Sequence, residues 1–234
     1  MKNYKVIIPN FFTALSLVSG LFALHFTYED NYITAAWLIA FSMLCDGLDG
    51  KLARLLNATS KFGATFDTLS DFVVFGVVPA ILAYKIALHN LSIWGIIIAL
   101  FYVFSGGYRL VRFSHKKIKP DTNHSFIGLP IPAGAGLIVS FIIFSLYSYN
   151  KIVSIEIFVL TIFISSVLMV STIEYLPIEK KAKMTKESKF FILLALISVV
   201  LSFRFSYIIF VGWIILYVLY GIIRHIILTC KNDT

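Results

Sequence analysis

Apolar runs recur along the chain at lengths near those a helix needs to cross a hydrocarbon layer roughly 30 Å thick. Eight can be read, near residues 8 to 27, 31 to 50, 68 to 88, 91 to 108, 131 to 148, 154 to 172, 190 to 203 and 206 to 223. No interior linker, low-complexity segment or internal repeat separates them. The pattern predicts an all-α integral membrane protein of about eight transmembrane helices, forming a single membrane domain over residues 1–234. The polar interruption at 112–128 ends in Gly128-Leu129-Pro130-Ile131-Pro132, where the prolines stiffen the chain. The charged run at 179–189 reads as a solvated loop.

Composition and charge agree with that pattern and orient it. Apolar residues make up 59% of the chain and charged ones 14%, so its solvent is lipid. With the N-terminus inside, all but Lys85, Lys151 and Arg204 of the 20 basic residues fall on the cytoplasmic side, which predicts cytoplasmic N- and C-termini. The net charge of +8 is then mainly this topological bias, with added attraction to anionic membrane lipids. The basic residues are split among loops and carry no nucleic-acid-binding motif, so no nucleic-acid partner is expected. The first stretch is too long for a signal-peptide core and lacks a small-residue cleavage pattern, and is read as a mature span. Cys45 lies in a span and Cys230 in the tail, an arrangement that suggests neither a disulfide nor a zinc site.

Carboxylates at membrane depth are costly, which makes their distribution informative. Of seven aspartates, four lie between 46 and 71, where the second and third spans meet the cytoplasmic side. Asp46 and Asp49 are three apart and Asp67 and Asp71 four apart, so each pair shares one helical face. The residues between the pairs, including Gly50, Asn57 and Gly63, read as a cytoplasmic turn that returns the chain antiparallel. Four ionised carboxylates facing one another repel unless a cation of high charge density lies between them. Oxygen ligands of this kind suit Mg²⁺, Mn²⁺ or Ca²⁺ rather than zinc or copper. Two ions about 4 Å apart would suit displacement at a phosphate. Ion pairing with Lys51, Arg54 and Lys61 is the plainer account, but it does not explain why all four acids keep helical spacing.

The run Asp46-Gly47-Leu48-Asp49-Gly50-Lys51-Leu52-Ala53-Arg54, followed by eight residues to Gly63, three to Asp67 and three to Asp71, resembles the complete signature of the CDP-alcohol phosphotransferases. The resemblance implies that Asp46 and Asp67 bridge two Mg²⁺ or Mn²⁺ ions, Asp49 completes one site and Asp71 the other. It also makes Asp71 the general base for the acceptor hydroxyl. Gly50 and Gly63 would let the nucleotide approach the backbone, and Arg54 and Ser60 would contact the CDP-activated lipid. Asn10 and Thr13, in Pro9-Asn10-Phe11-Phe12-Thr13, resemble a second nucleotide-contacting motif of the family. Asn and Thr at the entrance of a span also serve simply as helix caps.

Tyr108-Arg109-Leu110-Val111-Arg112-Phe113 and Phe126-Ile127-Gly128-Leu129-Pro130-Ile131-Pro132-Ala133 resemble the serine-using branch, the membrane-integral phosphatidylserine synthases, with Ser114 where that branch usually carries Asn. That resemblance implies attack of the L-serine hydroxyl on the lipid-side phosphorus and release of CMP, with Arg109 and Arg112 as candidates for holding the serine carboxylate. It further implies a homodimer in the cell membrane with its active site at the cytoplasmic face. Glycerol 3-phosphate or inositol phosphate would also need arginines and remain alternative acceptors. An intramembrane prenyltransferase is the alternative from another class, although its second acidic cluster has no counterpart here. A cation transporter would be expected to show broken helices or inverted repeats.

Overall fold

In the computed structural model, residues 4–58, 60–118, 126–175, 207–223 and 225–226 are described. Helix α1, Tyr4–Tyr28, turns back into α2, Tyr32–Leu55. Three serines join this antiparallel pair. Ser16 and Ser42 each donate a hydroxyl hydrogen bond to the other's carbonyl, at 3.2 and 2.9 Å, and Ser19 donates to the Leu38 carbonyl at 2.9 Å. Small polar residues of this kind let helix backbones approach closely where lipid offers no hydrophobic drive for association.

The chain turns after Leu55, with Asn57 at φ 49°, and Ser60 caps the next helix by accepting from the Gly63 N–H at 3.0 Å. Helix α3, Lys61–Asp71, runs through a π-helical stretch, Phe72–Val77, into α4, Val78–Ile86, as one continuous rod. This corrects two sequence expectations. The third span begins at Lys61 rather than near 68, and the turn is confined to the segment after Leu55. The polar first turns of α3 lower the local hydropathy, but the Ser60 cap starts the helix there all the same.

The π-helical stretch has an identifiable partner. Pro79 has no N–H to offer the carbonyl of Phe75, four residues earlier. The buried Tyr102 hydroxyl donates to that carbonyl at 2.7 Å. Tyr102 belongs to α5, Ile93–Ile118, which follows a short 3₁₀ turn at Leu88–Leu91.

Helices α6, Ile131–Tyr149, and α7, Ile155–Val170, complete the middle of the bundle. A short antiparallel pairing sets β1, Phe126–Ile127, against β2, Glu174–Tyr175. Helix α8 spans Tyr207–Ile223. The core includes Ile39, Phe75, Leu82, Tyr102, Ile138, Ile142 and Phe158, all with essentially no exposed surface.

Among the described residues, five helical rods are long and apolar enough to cross a membrane: Lys5–Tyr28, Tyr32–Leu55, Lys61–Ile86, Ile93–Ser114 and Ile131–Tyr149. Helices α7 and α8 are apolar but shorter. Apart from the small β pairing, the architecture is all-helical, as expected of an integral membrane protein. The seventh expected stretch, near 190 to 203, lies outside the described residues, as do the charged run at 179–189 and Cys230.

Candidate active site

The acids meet at one end of the bundle, where the start of α1, the end of α2, the start of α3 and the end of α5 come together. One carboxylate oxygen from each of Asp46, Asp49 and Asp67 lies within 4.8 Å of the other two. That separation is about twice a metal–oxygen bond of roughly 2.1 to 2.5 Å, so one divalent cation can touch all three. The donor set fits a hard cation. Cys45, adjacent to Asp46 in the chain, is buried and is not part of the group.

Asp49 is almost fully buried, and Thr13 of α1 donates its hydroxyl to Asp49 Oδ2 at 2.6 Å. Thr13 therefore fixes the rotamer of a carboxylate in the triad. Neither Asn10 nor Thr13 is a helix cap, because α1 already begins at Tyr4. Asp71 is outside the three-oxygen group, and its side chain makes a hydrogen bond with that of Asp46.

A cavity of about 180 Å³ opens beside the triad, with Asp49 and Asp67 in its wall. Asn10, Thr13, Gly50, Arg54, Ser60 and Gly63 also line it, which gathers every residue expected to contact the CDP-lipid around one space. A Cβ at Gly63 would lie 2.8 Å from Asn10 Oδ1 and 3.0 Å from Ser60 Oγ, so a side chain there would push both polar groups out of their places in the cavity wall.

The two arginines of α5 part company. Arg109 is buried, with its guanidinium 5.2 Å from the Phe113 ring, and interacts electrostatically with Asp71 and Asp46. Arg112, one turn further, donates to the carbonyls of Val170 at 2.9 Å, Met169 at 3.2 Å and Ser171 at 3.0 Å. It therefore satisfies carbonyls that α7 leaves open at its C-terminus. Gly128 sits against this contact at φ 81°, where any side chain would strike Arg112 and the Met169 carbonyl. The Gly128 N–H donates to the Ile173 carbonyl at 2.8 Å, and the Leu129 N–H to the Leu168 carbonyl at 2.9 Å.

Residues 6–163 match the model of the family described as CDP-alcohol phosphatidyltransferase. The chain belongs to that family. The *Helicobacter pylori* (strain 26695) CDP-diacylglycerol–serine O-phosphatidyltransferase is 37% identical to it over 230 residues, covering 98% of this chain and 95% of that protein. A *Methanocaldococcus jannaschii* relative of the same name is 37% identical over 73% of this chain and 74% of its own length. The *Bacillus subtilis* relative, also so named, is 41% identical over 56% of this chain and 73% of its own length.

As a CDP-alcohol phosphatidyltransferase, the protein is an enzyme whose acidic triad can hold a divalent metal. Two features of its site had no signal in the sequence. One is the hydrogen bond from the Thr13 hydroxyl to Asp49, which joins residues 36 positions apart. The other is the position of Tyr217 on α8 within electrostatic range of Arg109. The engagement of Arg112 with α7 had a partial signal in the glycine at 128, whose positive φ marks a tight passage.

Proposed function

We propose that this enzyme transfers a phosphatidyl group from CDP-diacylglycerol to L-serine and releases CMP. The observation that carries the reading is the cavity lined by Asn10, Thr13, Gly50, Arg54, Ser60 and Gly63 that opens onto Asp49 and Asp67 of the acidic triad. Serine is supported by the near full-length identity to the *Helicobacter pylori* protein.

In this reading the cytidine diphosphate group lies in the cavity, where Arg54 offers a planar set of donors to its phosphate oxygens. A divalent cation held by Asp46, Asp49 and Asp67 would supply charge neutralisation to the diphosphate. Asp71 takes the proton of the serine hydroxyl as that oxygen bonds to the lipid-side phosphorus. The bond from phosphorus to the CMP oxygen breaks, and the electron pair leaves with CMP. Arg109 holds the serine carboxylate. Arg112, expected from the sequence to share that task, keeps the end of α7 in place. Because both substrates sit at one site, the reaction gains from proximity, and no covalent enzyme intermediate is needed.

The same proposal includes two ions, Mg²⁺ or Mn²⁺, with Asp71 completing the second position. It includes eight spans in one membrane domain, both termini and the acid cluster on the cytoplasmic side of the cell membrane, and a homodimer. The distribution of Lys and Arg supports the orientation.

The test is CMP release and lipid product formation by the purified enzyme with CDP-diacylglycerol, Mg²⁺ or Mn²⁺, and each acceptor in turn. L-Serine should drive turnover, and glycerol 3-phosphate and inositol phosphate should do little. Turnover with glycerol 3-phosphate and none with serine would remove the serine assignment and leave the family standing.

A further inference from the structure

Helix α8 lies beyond residues 6–163, which match the family, yet it packs against the helix that carries Asp46 and Asp49. The Phe210 ring is 5.7 Å from that of Trp37, and Tyr207 stacks on Tyr147 at 5.0 Å. Further along, a Cβ at Gly136 of α6 would meet Ile214 Cδ1 at 2.7 Å and Met43 Cε at 3.0 Å. Contacts thus advance in the same direction on both helices, from Trp37 and Phe210 to Met43 and Ile214, so α2 and α8 run parallel here. One more turn on each brings Asp46 and Tyr217 to the same level. Tyr217 packs partly buried against the core and lies within electrostatic range of Arg109, which is itself within range of Asp71 and Asp46.

We propose that Tyr217 and Arg109 together form the recognition site for the acceptor's carboxylate. The guanidinium supplies a forked pair of hydrogen bonds and the phenol donates a third, which leaves the acceptor hydroxyl directed toward Asp71. The charge balance favours a carboxylate over a phosphate. Arg112, the nearest cation in sequence, directs donors to three carbonyls of the α7 end, so the second reader beside Arg109 is a neutral phenol. One cation and one neutral donor match a singly charged group, whereas a phosphate dianion beside carboxylates calls for further positive charge. Acceptor choice would then reside in a helix outside the part of the chain that matches the family, added to a shared diphosphate site.

This inference rests on the serine reading, and the experiment separates the two. Steady-state CMP release is measured with the full-length enzyme, CDP-diacylglycerol and Mn²⁺ for wild type, Tyr217→Phe and, as a control on the same helix, Tyr220→Phe. Tyr217→Phe should raise the KM for serine about tenfold and leave the KM for CDP-diacylglycerol within about twofold, while Tyr220→Phe should change neither. Serine methyl ester keeps the hydroxyl and ammonium but hides the carboxylate. It should be a poor acceptor for wild type, and its deficit relative to serine should shrink in Tyr217→Phe. An unchanged serine KM in Tyr217→Phe, in an enzyme that does use serine, overturns the tyrosine assignment alone. A wild-type enzyme that releases CMP with glycerol 3-phosphate and not with serine overturns both readings.

Discussion

On the α1–α3 side of the site, Asp46, Asp49, Asp67 and the residues lining the cavity come from two short segments, 9–13 and 46–67, held by one antiparallel pair and one turn. On the α5–α8 side, Arg109, Tyr217 and the α7 end held by Arg112 come from three helices spread over more than 100 residues. The first half rests mainly on regular helical spacing, which acts locally, with one hydrogen bond between helices, from Thr13 to Asp49. The second uses single side chains that meet only after the bundle has packed. The acidic triad and its cavity sit in the half that local geometry builds, whereas the proposed acceptor site falls in the half that tertiary packing builds.

Substitutions at the acids test the first half most severely. Asp71→Asn should reduce turnover by on the order of a thousandfold or more while metal-dependent binding of CDP-diacylglycerol persists. Asp46→Asn and Asp67→Asn should weaken that binding as well, which equilibrium binding with and without metal can measure. Appreciable turnover by Asp71→Asn would end its assignment as base.

The acceptor half should respond differently. Arg109→Ala should lower kcat/KM for serine by about a hundredfold, as expected for a lost forked contact to a charged group, with little change in the KM for CDP-diacylglycerol. Equal losses for both substrates would show that Arg109 supports the acid cluster rather than the acceptor.

Thr13→Val keeps the shape of the side chain and removes the donor to Asp49. The metal concentration needed for half-maximal activity should rise about tenfold, and Thr13→Ser should restore it. A rise in the CDP-diacylglycerol KM at saturating metal, with the metal requirement unchanged, would instead assign Thr13 to the nucleotide.

Arg112→Ala should have the smallest effect on catalysis. Loss of its bonds to the α7 carbonyls should cost about 1 to 3 kcal/mol of stability, read as a lower thermal midpoint in detergent, while the serine KM stays within a few-fold. A hundredfold loss of serine efficiency without loss of stability would return Arg112 to the acceptor site and blur the distinction between the two arginines.

The sequence alone was sufficient for what depends on near neighbours. Helices near six of the eight apolar stretches, and α8 near the last, follow from length and hydropathy, and the pairing of Asp46 with Asp49 follows from helical repeat. The start of the third rod at Lys61 was missed because a hydropathy window averages the polar residues of α3 into a loop, while one serine cap suffices to begin a helix. The π-helical stretch and its Tyr102 partner were not legible, because the hydroxyl that donates to the Phe75 carbonyl comes from another helix. The same holds for the two arginines. Arg109 and Arg112 sit one turn apart in near-identical sequence surroundings, and which one faces carboxylates and which one caps α7 depends on what the neighbouring helices bring to each. Spacing along a helix is a property of the backbone and can be read from sequence, whereas the partner of a buried polar group is set by satisfying it across the packed bundle, which only the tertiary structure decides.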